Sequence, residues 1–255
     1  MPRFFVRRSQ IDGERITLIG EDAHHIARSL RMAVGDGVTV CDMQGNEYDC
    51  RIESFDDDRE VSVSVLSVKK AENEPPVRIR VFQALPKGDK LDTVIQKAVE
   101  CGASEIIPFE SERCVVKVKP EAEQRKTERR QRIAEEAAKQ CGRSALPAVL
   151  PTVSFKEMLE LSAKDGLCLF CYEGDGTEPL GDVLKRELKK TVADKGSVSV
   201  IIGSEGGFSI KEAELIRNTG AASVCLGGRI LRTETASGFV LACIIYATEL
   251  GGNPW

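Results

Sequence analysis

The sequence predicts an α/β protein in two parts: a small antiparallel β-barrel, then a mostly parallel sheet with helices on both faces. Three observations carry that expectation. Residues 36–68, "DGVTVCDMQGNEYDCRIESFDDDREVSVSVLSV", alternate or run apolar in short stretches broken by Asp-Gly, Gln-Gly-Asn and Asp-Asp-Asp, the punctuation of consecutive antiparallel strands. A charged stretch with a Pro-Pro pair, "KKAENEPP" at 69–76, then interrupts the pattern and reads as a linker. Beyond it, buried-type apolar strands alternate with helical stretches, as they do where a parallel sheet is covered on both sides. The barrel is assigned to residues 1–72 and the parallel-sheet domain to 73–255.

Taken in order, "DAHHIARSLRM" (22–32) predicts a short helix with Ile26 and Leu30 on one face. The barrel strands follow. After the linker, "VRIRVFQAL" (77–85) is a strand, and "KLDTVIQKAVECG" (90–102) an amphipathic helix. That helix places Leu91, Val94, Ile95, Ala98 and Cys101 on one face and stops at Gly102. "SEIIPF" is the next strand and 121–141 a long polar helix. "GLCLFCYE", "SVSVIIGS" and "AASVCLGG" are three further strands with helical stretches between them. The last helix, 233–250, is apolar on nearly every side, so it must be buried all round, within the domain or against a second copy of the chain.

Composition bounds the function. No apolar stretch approaches the ~20 residues of a membrane span, and "MPRFFVRRSQIDGER" lacks the apolar core of a signal peptide, so a cytoplasmic protein is expected. The nine cysteines read as buried thiols. The one C-x-x-C, Cys168 and Cys171, sits in a strand with no second pair at zinc-site spacing, and no metal is expected. Net charge is −4, yet residues 113–143 carry ten Lys/Arg against five Glu, while 36–60 carry nine acids against two arginines. The basic run suits RNA phosphates, whose attraction acts within ~8–10 Å, or a solvated helix laced with i,i+4 ion pairs, the simpler reading.

Ligands of open parallel sheets bind beyond the carboxyl ends of the strands. Three glycine-rich or small-polar loops qualify: "CYEGDG" (171–176), "GSEGGFS" (203–209) and "LGGRILRTETA" (226–236). The glycines of "GSEGGFS" suit an anion, but no lysine follows them until Lys211, and Glu205 stands in the middle, where it would repel a triphosphate. Thr233 and Ser209 are good helix N-caps, which accounts for part of the polar content.

"IIGSEGGFS" paired with "LGGRILRTETA" resembles the C-terminal signature of the SPOUT class of RNA methyltransferases, the α/β-knot fold. The likeness is closest to the RsmE family, ribosomal small-subunit RNA methyltransferase E. "QKAVECGASEIIPF", "SERC", "RRQRIAEEAAKQCGR", "MPRFFV" and "HHIARSLRM" extend it over essentially the whole chain. Ser204 departs from the pattern, which leads one to expect proline there. The resemblance implies a PUA-like RNA-binding barrel before a trefoil-knotted catalytic domain acting as a homodimer. It implies S-adenosylmethionine as cofactor and N3 of a 16S rRNA uridine, uridine 1498, as the methylated atom, in small-subunit maturation.

On that resemblance the cofactor falls to Cys171, Tyr172 and Glu173 of the first loop, Ile202, Gly203, Gly206 and Gly207 of the second, and Leu226, Gly227, Ile230, Leu231 and Thr233 of the third. A sulfonium is a cation, so Glu205 beside it costs nothing; it equally reads as a carboxylate bonding its own turn. Uracil N3 carries a proton that must leave, with Glu234 as candidate general base and Arg232 as candidate partner for the negative charge on the uracil oxygens. A carboxylate favoured by a helix dipole and a salt bridge are the plainer readings of the two.

RNA contact is expected from Arg3, Arg7 and Arg8, from Arg28 and Arg31 around His25, and from Lys87, with Phe4 and Phe5 able to stack or pack and Arg125, Arg129, Arg132 and Arg143 as weaker candidates. Each also reads as ordinary surface or core. A methyltransferase for another RNA such as tRNA, a non-enzymatic RNA-binding assembly factor and a nucleotide-binding enzyme remain as alternatives. The absent lysine and the missing G-x-G-x-x-G count against the last.

Overall fold

The computed structural model describes residues 1–57, 59–118 and 120–250; Asp58 and Lys119, counted above in the acidic and basic runs, lie outside the described residues. Contacts group the chain into two units, Met1–Glu74 with Ala138–Leu146, and Pro75–Ala137 with the chain from Pro147 onward.

In the first unit, six strands form one sheet: β1 (Arg3–Phe5), β2 (Ile11–Asp12), β3 (Arg15–Ile19), β4 (Gly37–Cys41), β5 (Asn46–Asp57) and β6 (Glu60–Lys70), in the order β1-β4-β5-β6-β3-β2. Alternation fixes the register, since Ile16 faces Val63 and Leu18 faces Val61, all of them buried. Phe4 from one edge strand and Ile11 from the other pack on a single core, so the sheet curls around it. Irregular pairing of β5 with β6 at three places adds to that curl.

Two details differ from expectation. β1 runs parallel to β4, because β2, β3 and a helix separate the two in sequence and no tight turn reverses the chain between them. The helix expected over 22–32 is α1 (Glu21–His24) followed by a π-helical turn, His25–Ser29. The Leu30 amide reaches back to the His25 carbonyl, and this wider turn breaks the 3.6-residue phase, so Ile26 is buried while Leu30 is 40% exposed.

Glu74 closes this unit. Its carboxylate accepts from Arg143 Nη2 at 2.6 Å and from the backbone N–H groups of Ser144 and Ala145 at 2.8 and 3.0 Å. Burial opposes the charge, but these bonds outweigh it and hold the carboxyl below the ordinary glutamate value of 4.5. A lowered native pKa stabilises the fold above the unfolded value, and that contribution is lost as pH falls through the native one. Glu74→Gln should therefore cost about 1–3 kcal/mol at pH 7. Urea midpoints of the variant and the parent should converge as the pH drops below 4.5.

The second unit is built on seven parallel strands: β7 (Arg78–Ala84), β8 (Glu105–Phe109), β9 (Ala148–Val149), β10 (Leu167–Cys171), β11 (Glu178–Pro179), β12 (Ser197–Ile202) and β13 (Ala222–Cys225). Their order is β11-β13-β10-β12-β7-β8-β9. Near-continuous burial of the central strands is what sidedness on both faces demands. Helices α2 (Lys90–Glu100), α3 (Pro120–Cys141), α4 (Phe155–Ser162), α5 (Leu180–Ala193), α6 (Ile210–Asn218) and α7 (Thr233–Ile245) connect or follow them. α2 buries Leu91, Val94, Ile95, Ala98 and Val99. It ends before Gly102, whose φ is +86° and where a Cβ would lie 2.6 Å from Pro75 Cγ, so the residue there must be glycine.

Within this one chain α7 is buried on only part of its circumference. Ala236, Val240, Leu241 and Ile244 are buried, while Phe239 and Ala242, with Tyr246 at the start of the π-helical turn Tyr246–Leu250 that follows, form an exposed stripe. No described helix is long and apolar enough to cross a membrane.

Candidate active site

The order β13-β10-β12 sets the ends of three strands side by side: Cys225, Cys171 and Ile202. The three loops that leave them enclose a cavity of about 1030 Å³. Every residue that the sequence placed around the cofactor lines it, as do Arg229, Arg232 and Glu205. Sequence reasoning missed Lys90, the first residue of α2, and Arg113, in the loop after β8, which also line it. The signal was present, because β7 and β8 also end at this edge of the sheet.

Each loop has its own support. In the first, the Tyr172 ring stacks on Phe170 at 5.1 Å, and the Arg217 guanidinium lies 5.2 Å from its centre. In the second, the Gly207 amide bonds the Ser204 carbonyl in a tight turn, Gly207 having φ +63°. A Cβ on Gly206 would come within 3.1 Å of the Arg113 carbonyl, so the loop after β8 closes over that glycine. Ser209 caps α6 as expected, its hydroxyl accepting from the Glu212 amide. The N-cap of α7 is Arg232 rather than Thr233. Thr233 is the first helical residue, and its hydroxyl donates inward to the Gly203 carbonyl at 2.6 Å while accepting from Gln83 Nε2 at 2.8 Å.

Glu205 ties the second loop to the start of α2. Its carboxylate accepts from the Lys87 amide at 3.2 Å and from Lys90 Nζ at 2.7 Å. Glu234, in the first turn of α7, lies just outside the cavity lining. Its Oε2 is 3.9 Å from Lys90 Nζ, and it is buried without a hydrogen bond, as are Gln83 Oε1 and Ser204 Oγ. The Arg232 side chain is exposed and has no hydrogen bond or ion pair among the described residues. Burial pushes the Cys168 and Cys171 thiols up to about 12, so neither is a thiolate at neutral pH.

The expected RNA-contacting residues fall into two groups. Arg7, Arg8, His25, Arg28 and Arg31 are exposed in the first unit, and Lys87 is exposed in the second. Arg3 is engaged inward, its guanidinium 2.7 Å from Glu47 and 2.9 Å from Cys41 Sγ. Phe4 is core, and Phe5 half-buried. Of the weaker candidates, Arg143 is buried against Glu74 and Arg129 pairs with Asp92, while Arg125 and Arg132 are exposed. Charge counted along a sequence cannot distinguish a cation facing solvent from one satisfied by a carboxylate distant in sequence.

An RNA methyltransferase domain profile matches residues 73–245, and an RNA methyltransferase PUA domain profile matches residues 18–66. The chain is 35% identical to ribosomal RNA small subunit methyltransferase E of Bacillus subtilis, over 98% of each chain. It is 32% identical to the protein of that name from Synechocystis, over 95% of this chain and 76% of that one. Among solved structures, ribosomal RNA small subunit methyltransferase E from Neisseria gonorrhoeae, bound to S-adenosylmethionine, superposes with a TM-score of 0.82 at 29% identity, covering 96% of this chain and 97% of that one.

Proposed function

The chain belongs to the ribosomal RNA small subunit methyltransferase E family, and from that premise we propose that it methylates N3 of a uridine in 16S rRNA, with S-adenosylmethionine held in the cavity described above. The observation that carries the reading is a convergence at one edge of the parallel sheet. A glycine-lined cavity meets an arginine without a partner among the described residues, and beside its lining stands a carboxylate with one oxygen free of any hydrogen bond.

The residues present fit the cofactor. Gly203 and Gly206 are packed so closely that side chains there would meet Phe208 and Arg113, leaving main chain to form the wall. Glu173 adds a carboxylate to that wall, while Glu205 is already paired with Lys90, and Arg113, Arg229 and Arg232 line the same cavity. S-Adenosylmethionine supplies an electrophilic methyl group on a cationic sulfur. In this reading Glu234 would take the N3 proton and Arg232 would meet the negative charge on the neighbouring uracil oxygens. The exposed arginines of the first unit, with His25 and Lys87, hold the RNA. The stripe of Phe239 and Ala242 on α7 with Tyr246 just beyond it fits burial against a second copy, giving a homodimer that works in the cytoplasm on the small ribosomal subunit.

Incubation with tritiated S-adenosylmethionine and small subunits from cells lacking this methylation should place a single label on one uridine of 16S rRNA. Labelling of tRNA in preference would move the substrate to another RNA, and no cofactor binding would sink the enzymatic reading.

A further inference from the structure

We propose that Lys90 is a positioning residue of this site: anchored on Glu205, its ammonium holds the Glu234 carboxylate at the cavity edge without capping the oxygen that must take the proton. The inference rests on the methyl-transfer reading above and adds a residue that the sequence motifs do not include.

Three segments distant in the chain meet here. Lys90 is the first residue of α2, Glu205 sits in the glycine-rich loop, and Glu234 in the first turn of α7. Lys90 Nζ is 2.7 Å from Glu205 Oε1, a full charge-assisted hydrogen bond, and 3.9 Å from Glu234 Oε2, close enough for attraction and too far for a hydrogen bond. Glu205 is itself fixed by the Lys87 amide. Burial works against its charge, yet the bonds from Lys90 and from backbone N–H groups prevail and hold its carboxyl below the ordinary range, so the anchor is anionic at neutral pH.

The arrangement answers two needs at once. A buried carboxylate oxygen with no partner is costly unless a cation stands near it. A cation bonded directly to that oxygen would occupy the lone pair that must receive a proton and weaken it as a base. Glu205 resolves the conflict by drawing the ammonium to itself, leaving the Glu234 oxygen attracted but not hydrogen-bonded. Lys90 also lines the cavity, whereas Glu234 does not, so the lysine connects the carboxylate to the space that a uracil would enter.

The test uses the full chain, with single-turnover methylation of unmethylated small subunits and calorimetric S-adenosylmethionine binding. Lys90→Met should lower the rate about 10- to 100-fold through misplacement of the base, with cofactor Kd and RNA KM within about threefold. Lys90→Arg should recover most of the rate. Because Lys90 acts through Glu234, adding Lys90→Met to Glu234→Gln should cost less than about threefold more. Losses that multiply in the double variant would overturn the proposal. So would a Lys90→Met variant that keeps its rate and loses only cofactor affinity or melting temperature, which would make the lysine a tie between loops. Wild-type protein that transfers no methyl group would overturn the functional reading itself, an outcome distinct from any of the variant results.

Discussion

Replacing Arg232 by alanine should slow methyl transfer about 10²- to 10³-fold, the usual cost of removing a donor aimed at developing charge, while cofactor affinity stays within a few-fold. The structure separates this residue's chemistry from its architecture. Its backbone is extended, with φ −65° and ψ 152°, and its carbonyl accepts the first bonds of α7 from Thr235 and Ala236 at 2.9 and 2.8 Å. Alanine preserves both. The side chain has no hydrogen bond or ion pair among the described residues, so its removal leaves no orphaned partner and should leave the melting temperature unchanged. Single-turnover rates, calorimetry and a thermal melt on the same preparation separate the outcomes. An unchanged rate would return Arg232 to ordinary surface charge. Arg232→Lys should recover only part of the rate, since an ammonium lacks the planar fork that can span a carbonyl and its neighbour.

Phe170→Ala should be the most damaging core substitution near the site, costing about 3–5 kcal/mol. The ring is fully buried on β10, stacks on Tyr172 at 5.1 Å and meets Phe208 edge-on at the same distance. Tyr172 belongs to the first loop and Phe208 to the second, and Phe208 in turn lies against Gly203 and 6.3 Å from Phe109. One side chain thus sets the level of two of the three loops. Urea unfolding should show the loss of stability, and S-adenosylmethionine affinity at low urea should fall with it. Stability lost with affinity kept would mean that the loops are held by their own hydrogen bonds. Phe170→Leu, which keeps most of the volume, should show a smaller fraction of both effects.

Much of this site was legible from the sequence because parallel sheets announce themselves. Runs such as "SVSVIIGS" can be buried on both faces only inside one, and ligands then collect past the carboxyl ends. Three loops follow such strands, and the strand order sets their starting points side by side. Lys90 and Arg113 escaped notice because the stretches after β7 and β8 that hold them carry no glycine cluster of that kind. β9 and β11 escaped because two residues hold no period, and the π turn at His25–Ser29 because periodicity assumes 3.6 residues per turn. Nothing in local pattern could show that Arg3 is committed to Glu47 or Arg143 to Glu74, pairs made only by the folded chain. The knotted path and the target nucleotide came from family resemblance alone.

The pairing at the middle of the large sheet has a consequence for the chain as it is being made. β7 takes β8 as one neighbour soon after synthesis, but its other neighbour is β12, with Arg78 opposite Ser197. Everything from α2 to α5 must leave the ribosome first. The β4–β5–β6 meander of the first unit needs no such wait. Until β12 arrives, β7 presents an open edge beside Val81 and Phe82, both fully buried in the finished fold, and a nascent chain in that condition is exposed to aggregation. The cavity, assembled from loops that follow β10, β12 and β13, is consequently among the last features translation can complete.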